Sequence, residues 1–79
     1  MEHQDIYDKL QEVFRDVFDE DSIVIGPGTT ADDIEDWDSL MHITLISAVE
    51  DEFGMRFTVG EVSTMKNVGE MVSIIADRA

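Results

Sequence analysis

An all-α fold, a four-helix bundle of three longer helices and one short one, is what this sequence predicts, and three observations predict it. Near the N-terminus the apolar residues Ile6, Leu10, Val13, Phe14 and Val17 recur at steps of three and four, the pattern of an amphipathic helix. A second apolar-periodic run follows Asp38 and closes on Phe53-Gly54. Finally, Thr58 and Asn67 each stand three residues before a glutamate, Glu61 and Glu70, the spacing with which a cap opens a helix. Helices are therefore expected over residues 5–18, 39–53, 59–63 and 67–77, with a long loop between the first two.

Size and composition narrow the function classes. A chain of 79 residues makes one domain, residues 1–79, with a small core. It is too short to wall off a large substrate pocket, which argues against a free-standing enzyme. With 19 acidic against 5 basic residues and a net charge of −14, it should repel nucleic acid and anionic membrane surfaces and attract partners with basic patches. The absence of cysteine excludes disulfides and thiolate metal sites. Met1-Glu2-His3-Gln4-Asp5 has neither the cationic start nor the apolar run of a secretory signal. No apolar stretch approaches the roughly 20 residues that span a bilayer. A cytoplasmic monomer without membrane insertion is expected.

In the first helix Asp5 is placed to cap the start, and Asp8 lies in the first turn, where the helix dipole favours a negative charge. Residues 19–38 break the pattern with an acidic triplet, then Ser22-Ile23-Val24-Ile25, then Gly26-Pro27-Gly28. A loop this long in a small domain has a function or a buried anchor, and Ile23, Val24, Ile25 and Ile34 are the candidate anchors. Read as a strand, Ile23 to Ile25 would find no partner strand.

On the second helix, steps of about 100° put Leu45, Val49 and Phe53 on one side with Ile46 at its edge, the core face. Leu40, Ile43, Thr44, Ser47, Glu50 and Asp51 fall opposite. That outer face suits transient docking, apolar contacts supplying affinity and carboxylates steering basic partners. The alternative is that the preceding loop covers Leu40 and Ile43. His42 projects toward the core, where a lone histidine is a packed, hydrogen-bonded side chain. His3 is expected to be exposed. Trp37 is read as a pin holding the loop to the bundle, and Met65 and Met71 as gap-filling core.

After Gly54, Met55-Arg56-Phe57-Thr58-Val59 alternates like a strand, but the Thr58/Glu61 cap outweighs that signal and places Phe57 as a buried residue ahead of a short helix. The last helix buries Val68, Met71, Val72 and Ile75, and Gly69 weakens it by about 1 kcal/mol relative to alanine.

The block Trp37-Asp38-Ser39-Leu40-Met41-His42, continued through Glu50-Asp51-Glu52-Phe53-Gly54, resembles the modification site and following helix of acyl carrier proteins. An aspartate precedes the serine, an apolar-periodic helix follows, and an acidic run with Phe and Gly closes it at the family's spacing. The resemblance implies that Ser39 carries a covalent 4′-phosphopantetheine arm derived from coenzyme A. It further implies that a magnesium-using phosphopantetheinyl transferase installs the arm, that Asp38 helps present the site, and that acyl-loading and acyl-processing enzymes then dock. A helix start independently suits a phosphodiester, because its free amides and positive dipole end favour an anion. The plainer reading is that Asp38 or Ser39 only caps the helix. By the same analogy, Leu45, Ile46, Val49, Phe57, Val62 and Ile75 are candidates to line an interior that receives the thioester-linked chain. Trp37, Asp36, Met41 and Thr44 depart from the common fatty-acid-synthesis pattern, and Met41 and Thr44, standing where that branch usually has carboxylates, remove negative charge near the arm. They point to a specialised lipid, polyketide or polysaccharide-modification pathway.

Three other readings compete. A peptidyl or aminoacyl carrier shares the fold and the serine. A cation-binding module would need oxygen ligands at alternating positions, and residues 36–41 begin that way but fail at Leu40 and Met41. An acidic interaction module or nucleic-acid mimic would ignore Ser39. Catalysis is disfavoured, since Asp38, Ser39 and His42 crowd one helical turn without a nucleophile elbow. No catalytic residue and no metal ligand is assigned.

Overall fold

A computed structural model describes residues 2–79, and among them there are four α-helices and no strand. The helices are α1 (His3–Phe18), α2 (Ser39–Phe53), α3 (Val59–Thr64) and α4 (Val68–Arg78), and a single 3₁₀ turn, Ala31–Asp33, lies in the long loop. The bundle class, the long first loop and the short third helix agree with expectation.

Helix α1 packs on α2 and α4. Its inward stripe of Ile6, Leu10 and Phe14 is fully buried, with Val13 and Phe18 beside it. The helix begins at His3, earlier than expected, with Glu2 at the cap position and no side-chain cap bond. Asp5 therefore does not cap; it sits in the first turn, favoured there by the dipole alone. At the other end Asp19 takes the left-handed conformation, φ 51°, with its N–H on the Arg15 carbonyl.

The loop is anchored by alternation. Ile25 is buried and Ile23 and Ile34 are half-buried, whereas Val24 is 75% exposed. In an extended stretch successive side chains point to opposite sides, so Val24 cannot share the anchoring role of Ile23 and Ile25. Two α1 side chains one turn apart hold this segment. Gln11 Oε1 accepts from the Ile25 N–H at 3.1 Å, and Arg15 Nε donates to the Ile23 carbonyl at 2.8 Å. The loop then crosses to α4, where the N–H groups of Val68 and Gly69 donate to the carbonyls of Thr29 and Pro27, at 2.8 and 3.0 Å. Gly69 is thus more than a weak helix former. A Cβ there would stand 2.8 Å from the Pro27 carbonyl oxygen, so the glycine is what lets the loop lie against α4.

The two caps read from sequence form as expected. Thr58 Oγ1 accepts from the Glu61 N–H while the Glu61 carboxylate accepts from the Thr58 N–H, and Asn67 Oδ1 accepts from the Glu70 N–H. The Glu61 carboxylate also forms a two-point ion pair with Arg78, whose guanidinium reaches the Arg56 carbonyl as well, tying α3 to the end of α4. Hydrogen bonding to Arg78, first, and to the Thr58 backbone holds the Glu61 carboxyl down at about 2. Val68, Met71, Val72 and Ile75 are buried as expected. Phe57 and Phe53, expected inside, are only half-buried: Phe53 ends α2 and Phe57 lies in the connecting turn, so each meets the core from one side. Met65 is half-buried too, while Met71 is wholly enclosed.

Candidate functional site

The start of α2 is fixed by its own sequence. Asp38 is extended, and its carboxylate accepts from the Met41 N–H at 2.8 Å while its carbonyl accepts from the His42 N–H. Asp38 is therefore the cap and Ser39 the first helical residue. The amides of Ser39 and Leu40 have no partner within the helix, as at any helix start. Ser39 and Asp38 are both exposed. Of the two candidate caps, Asp38 is the one whose side chain accepts a helix amide, which leaves the Ser39 hydroxyl unneeded for starting the helix.

Trp37 and His42 brace this turn from beneath. Trp37 is only 9% exposed, packing edge-on against Phe14 with ring centroids 5.3 Å apart, and it stacks on His42 at 5.8 Å. Its indole Nε1 donates to His42 Nδ1 at 3.0 Å. An indole N–H can only donate, so Nδ1 is the bare nitrogen and the ring proton lies on Nε2, facing the Val62 carbonyl at 3.3 Å. The expected roles of both residues, loop pin and packed histidine, are met.

A cleft of about 400 Å³ opens beside Ser39, with Trp37, Asp38 and His42 on one side and Val62, Ser63, Met65, Lys66 and Asn67 on the other. Sequence reasoning missed Ser63, Lys66 and Asn67 as neighbours of Ser39, because only the return of the chain through α3 brings them there. Of the residues expected to line an interior, Leu45, Val49 and Ile75 are wholly enclosed and Ile46 nearly so. Val62 instead faces the cleft.

The outer face of α2 is not covered by the loop. Leu40 is 73% and Ile43 66% exposed, and Thr44, Ser47 and Asp51 are exposed alongside them. Glu50 departs from expectation. It is half-buried, and its carboxylate accepts from the Phe57 N–H at 2.8 Å, since the turn at Gly54 (φ 63°) brings that amide back over the helix end. Met41 is half-buried as well, leaving Thr44 the exposed member of that pair.

A family model described as a phosphopantetheine attachment site matches residues 8–75, and this sets the class of carrier domain. The acyl carrier proteins of Picosynechococcus sp. and Lactobacillus acidophilus are each 32% identical to the chain, over 96% and 95% of it and 94% of their own lengths. The solution structure of the holo acyl carrier protein of Geobacter metallireducens matches with a TM-score of 0.86 and 42% identity, covering 91% of this chain and 83% of that one. The chain belongs to the acyl carrier protein family, whose members carry rather than catalyse.

The family's prosthetic group is a covalently attached phosphopantetheine. The residues present fit it. An exposed hydroxyl stands at a helix start, whose free amides and positive dipole end favour a phosphodiester, and Ser63, Lys66 and Asn67 are polar residues lining the adjoining cleft. When bound, the group supplies a thiol on which acyl groups are held as thioesters. Among the described residues no set of histidines and carboxylates is grouped to hold a metal ion, and no helix is long and apolar enough to cross a membrane.

Proposed function

We propose that Ser39 is the attachment point of the arm, that a phosphopantetheinyl transferase installs it from coenzyme A with Asp38 presenting the site, and that Leu40, Ile43, Thr44, Ser47 and Asp51 form the surface on which acyl-processing partners dock. The observation that carries this reading is the exposure of Ser39 at the head of a helix whose next exposed large apolar residues are Leu40 and Ile43. The turn is rigid from below, through Trp37 and His42, and open above. A separate enzyme can therefore reach the hydroxyl without unfolding the bundle.

The pathway is a specialised one in lipid, polyketide or polysaccharide modification. Its support is the chemistry of the docking face. From Leu40 through Ser47 the exposed side chains are uncharged, and Asp51 is the first carboxylate free of an intramolecular bond on that face. Partners should therefore grip by apolar contact near the arm and use a basic group only further along.

Incubation with coenzyme A, magnesium and a broad-specificity phosphopantetheinyl transferase, followed by mass spectrometry, tests the assignment. Modification confined to a peptide containing Ser39, and absent in Ser39→Ala, is the expected result. An unmodified chain beside a modified control carrier would overturn it.

A further inference from the structure

The turn that carries Ser39 is closed by three hydrogen bonds, and only two of them belong to an ordinary capped helix. Those two run from the Met41 N–H to the Asp38 carboxylate and from the His42 N–H to the Asp38 carbonyl, each at 2.8 Å. The third runs from Trp37 Nε1 to His42 Nδ1 at 3.0 Å and ties a residue just before Ser39 to one just after it. Residues 37–42 thus form a closed ring of chain that contains Ser39. Each end of this strut is fixed by another element. Phe14 and Phe18 of α1 hold the indole, with ring centroids 5.3 and 6.3 Å away, and the Val62 carbonyl of α3 faces the second imidazole nitrogen at 3.3 Å. Trp37 is buried and His42 half-buried. The Asp38 cap begins α2 without the strut, so cutting the strut leaves the helix in place and frees the chain that enters the turn. It also leaves a buried indole donor without a partner, which weighs against the closed turn by roughly fivefold or more.

We infer that His42, acting through Trp37, is a positioning residue for transfer of the arm, an inference that rests on Ser39 being the acceptor. In that transfer the bond from Ser39 Oγ to phosphorus forms and the pyrophosphate bond of coenzyme A breaks. The adenosine bisphosphate half leaves, and the hydroxyl proton passes to the transferase or to water. His42 takes no part in these steps, since Nδ1 accepts the indole hydrogen and Nε2 turns its own toward Val62. Its effect comes earlier. A transferase that binds only the closed turn loses apparent affinity in proportion to the fraction of molecules in which the turn is open. The strut therefore sets the KM for the carrier and leaves kcat, which is fixed once the transferase grips the turn, nearly unchanged.

The test measures kcat and KM for arm transfer to the full chain at saturating coenzyme A and magnesium, with a broad-specificity phosphopantetheinyl transferase and mass spectrometry as the readout. An unmodified wild type would remove Ser39 as the acceptor, whereas the inference about His42 is judged on the variants of a chain that is modified. His42→Ala should raise KM by about threefold or more with kcat nearly unchanged. Two conservative variants separate positioning from general support. His42→Asn sets an amide oxygen near the place of Nδ1, where it can accept from the indole, and should return KM to near the wild-type value. His42→Gln sets its amide near the place of Nε2, keeps only the Val62 side and should leave KM raised. Trp37→Phe should raise KM as well, and adding it to His42→Ala should raise KM no further, because both act through one bond. The Asn and Gln pair decides the matter if His42→Ala fails to fold. A folded His42→Ala with the wild-type KM would overturn the inference, and so would Asn and Gln variants with equal KM.

Discussion

Gly69 and Ile43 show how single residues carry opposite burdens. In isolation Gly69→Ala should strengthen α4 by about 1 kcal/mol. With the Pro27 carbonyl 2.8 Å from the new methyl, the loop must move off the helix or the helix must shift. Overpacking of this kind costs about 1–3 kcal/mol, so the net effect should be destabilising, read as a lower urea midpoint with an unchanged slope. Ile43 is the reverse case, two-thirds exposed and free of packing duty. Ile43→Glu should leave the stability measured in urea within about 0.5 kcal/mol of wild type. It should nevertheless raise the KM of a processing enzyme for the charged carrier, and an unchanged KM would remove Ile43 from the docking surface.

Among the elements, α3 depends most on its ends. It is short, none of its residues is fully buried, and it is fastened by the reciprocal Thr58–Glu61 cap and by Arg78. The Glu61 carboxyl is held near 2 against an ordinary value of 4.5, with its bond to Arg78 the largest cause. A depressed carboxyl contributes stability that is complete above its unfolded value and is lost as pH falls toward the folded one. The window is therefore from about pH 4.5 down to about pH 2. Glu61→Gln should flatten the fall of Tm across that window relative to wild type. Parallel curves for the two proteins would show that the ion pair contributes nothing.

Both caps were legible in the sequence because a cap is a local device, a side chain answering an amide three residues on. The two long helices were legible from their apolar period. What was not legible depends on where the chain returns. Glu50 has the helical position of an outward carboxylate, and only the turn at Gly54 delivers the Phe57 amide that draws it in. Lys66 and Asn67 reach the neighbourhood of Ser39 through the path of α3, which no period encodes. Val24 has the same apolar character as Ile23 and Ile25, and only the extended backbone sets it opposite them.

Across the whole molecule, like charges crowd one another. A net charge of −14 resides on a body of about 28 × 25 × 22 Å, so many carboxylates lie within the roughly 10 Å screening length of 0.1 M salt. Glu20, Asp33, Glu35 and Asp36 gather around one cleft in the long loop. Magnesium should raise Tm by a few degrees by relieving that repulsion. Because no metal-holding group of side chains exists among the described residues, sodium at higher concentration should reproduce the effect. A Tm that ignores both ions would show that repulsion does not limit stability, and a response to magnesium alone would reveal a discrete site. The sole tryptophan, Trp37, is wedged between the aromatic rings of α1 and the imidazole under the attachment turn. The protein thereby contains its own optical probe. Emission from that one indole reports on the turn that presents Ser39, and a change in its wavelength when a partner binds would signal strain in that turn without any added label.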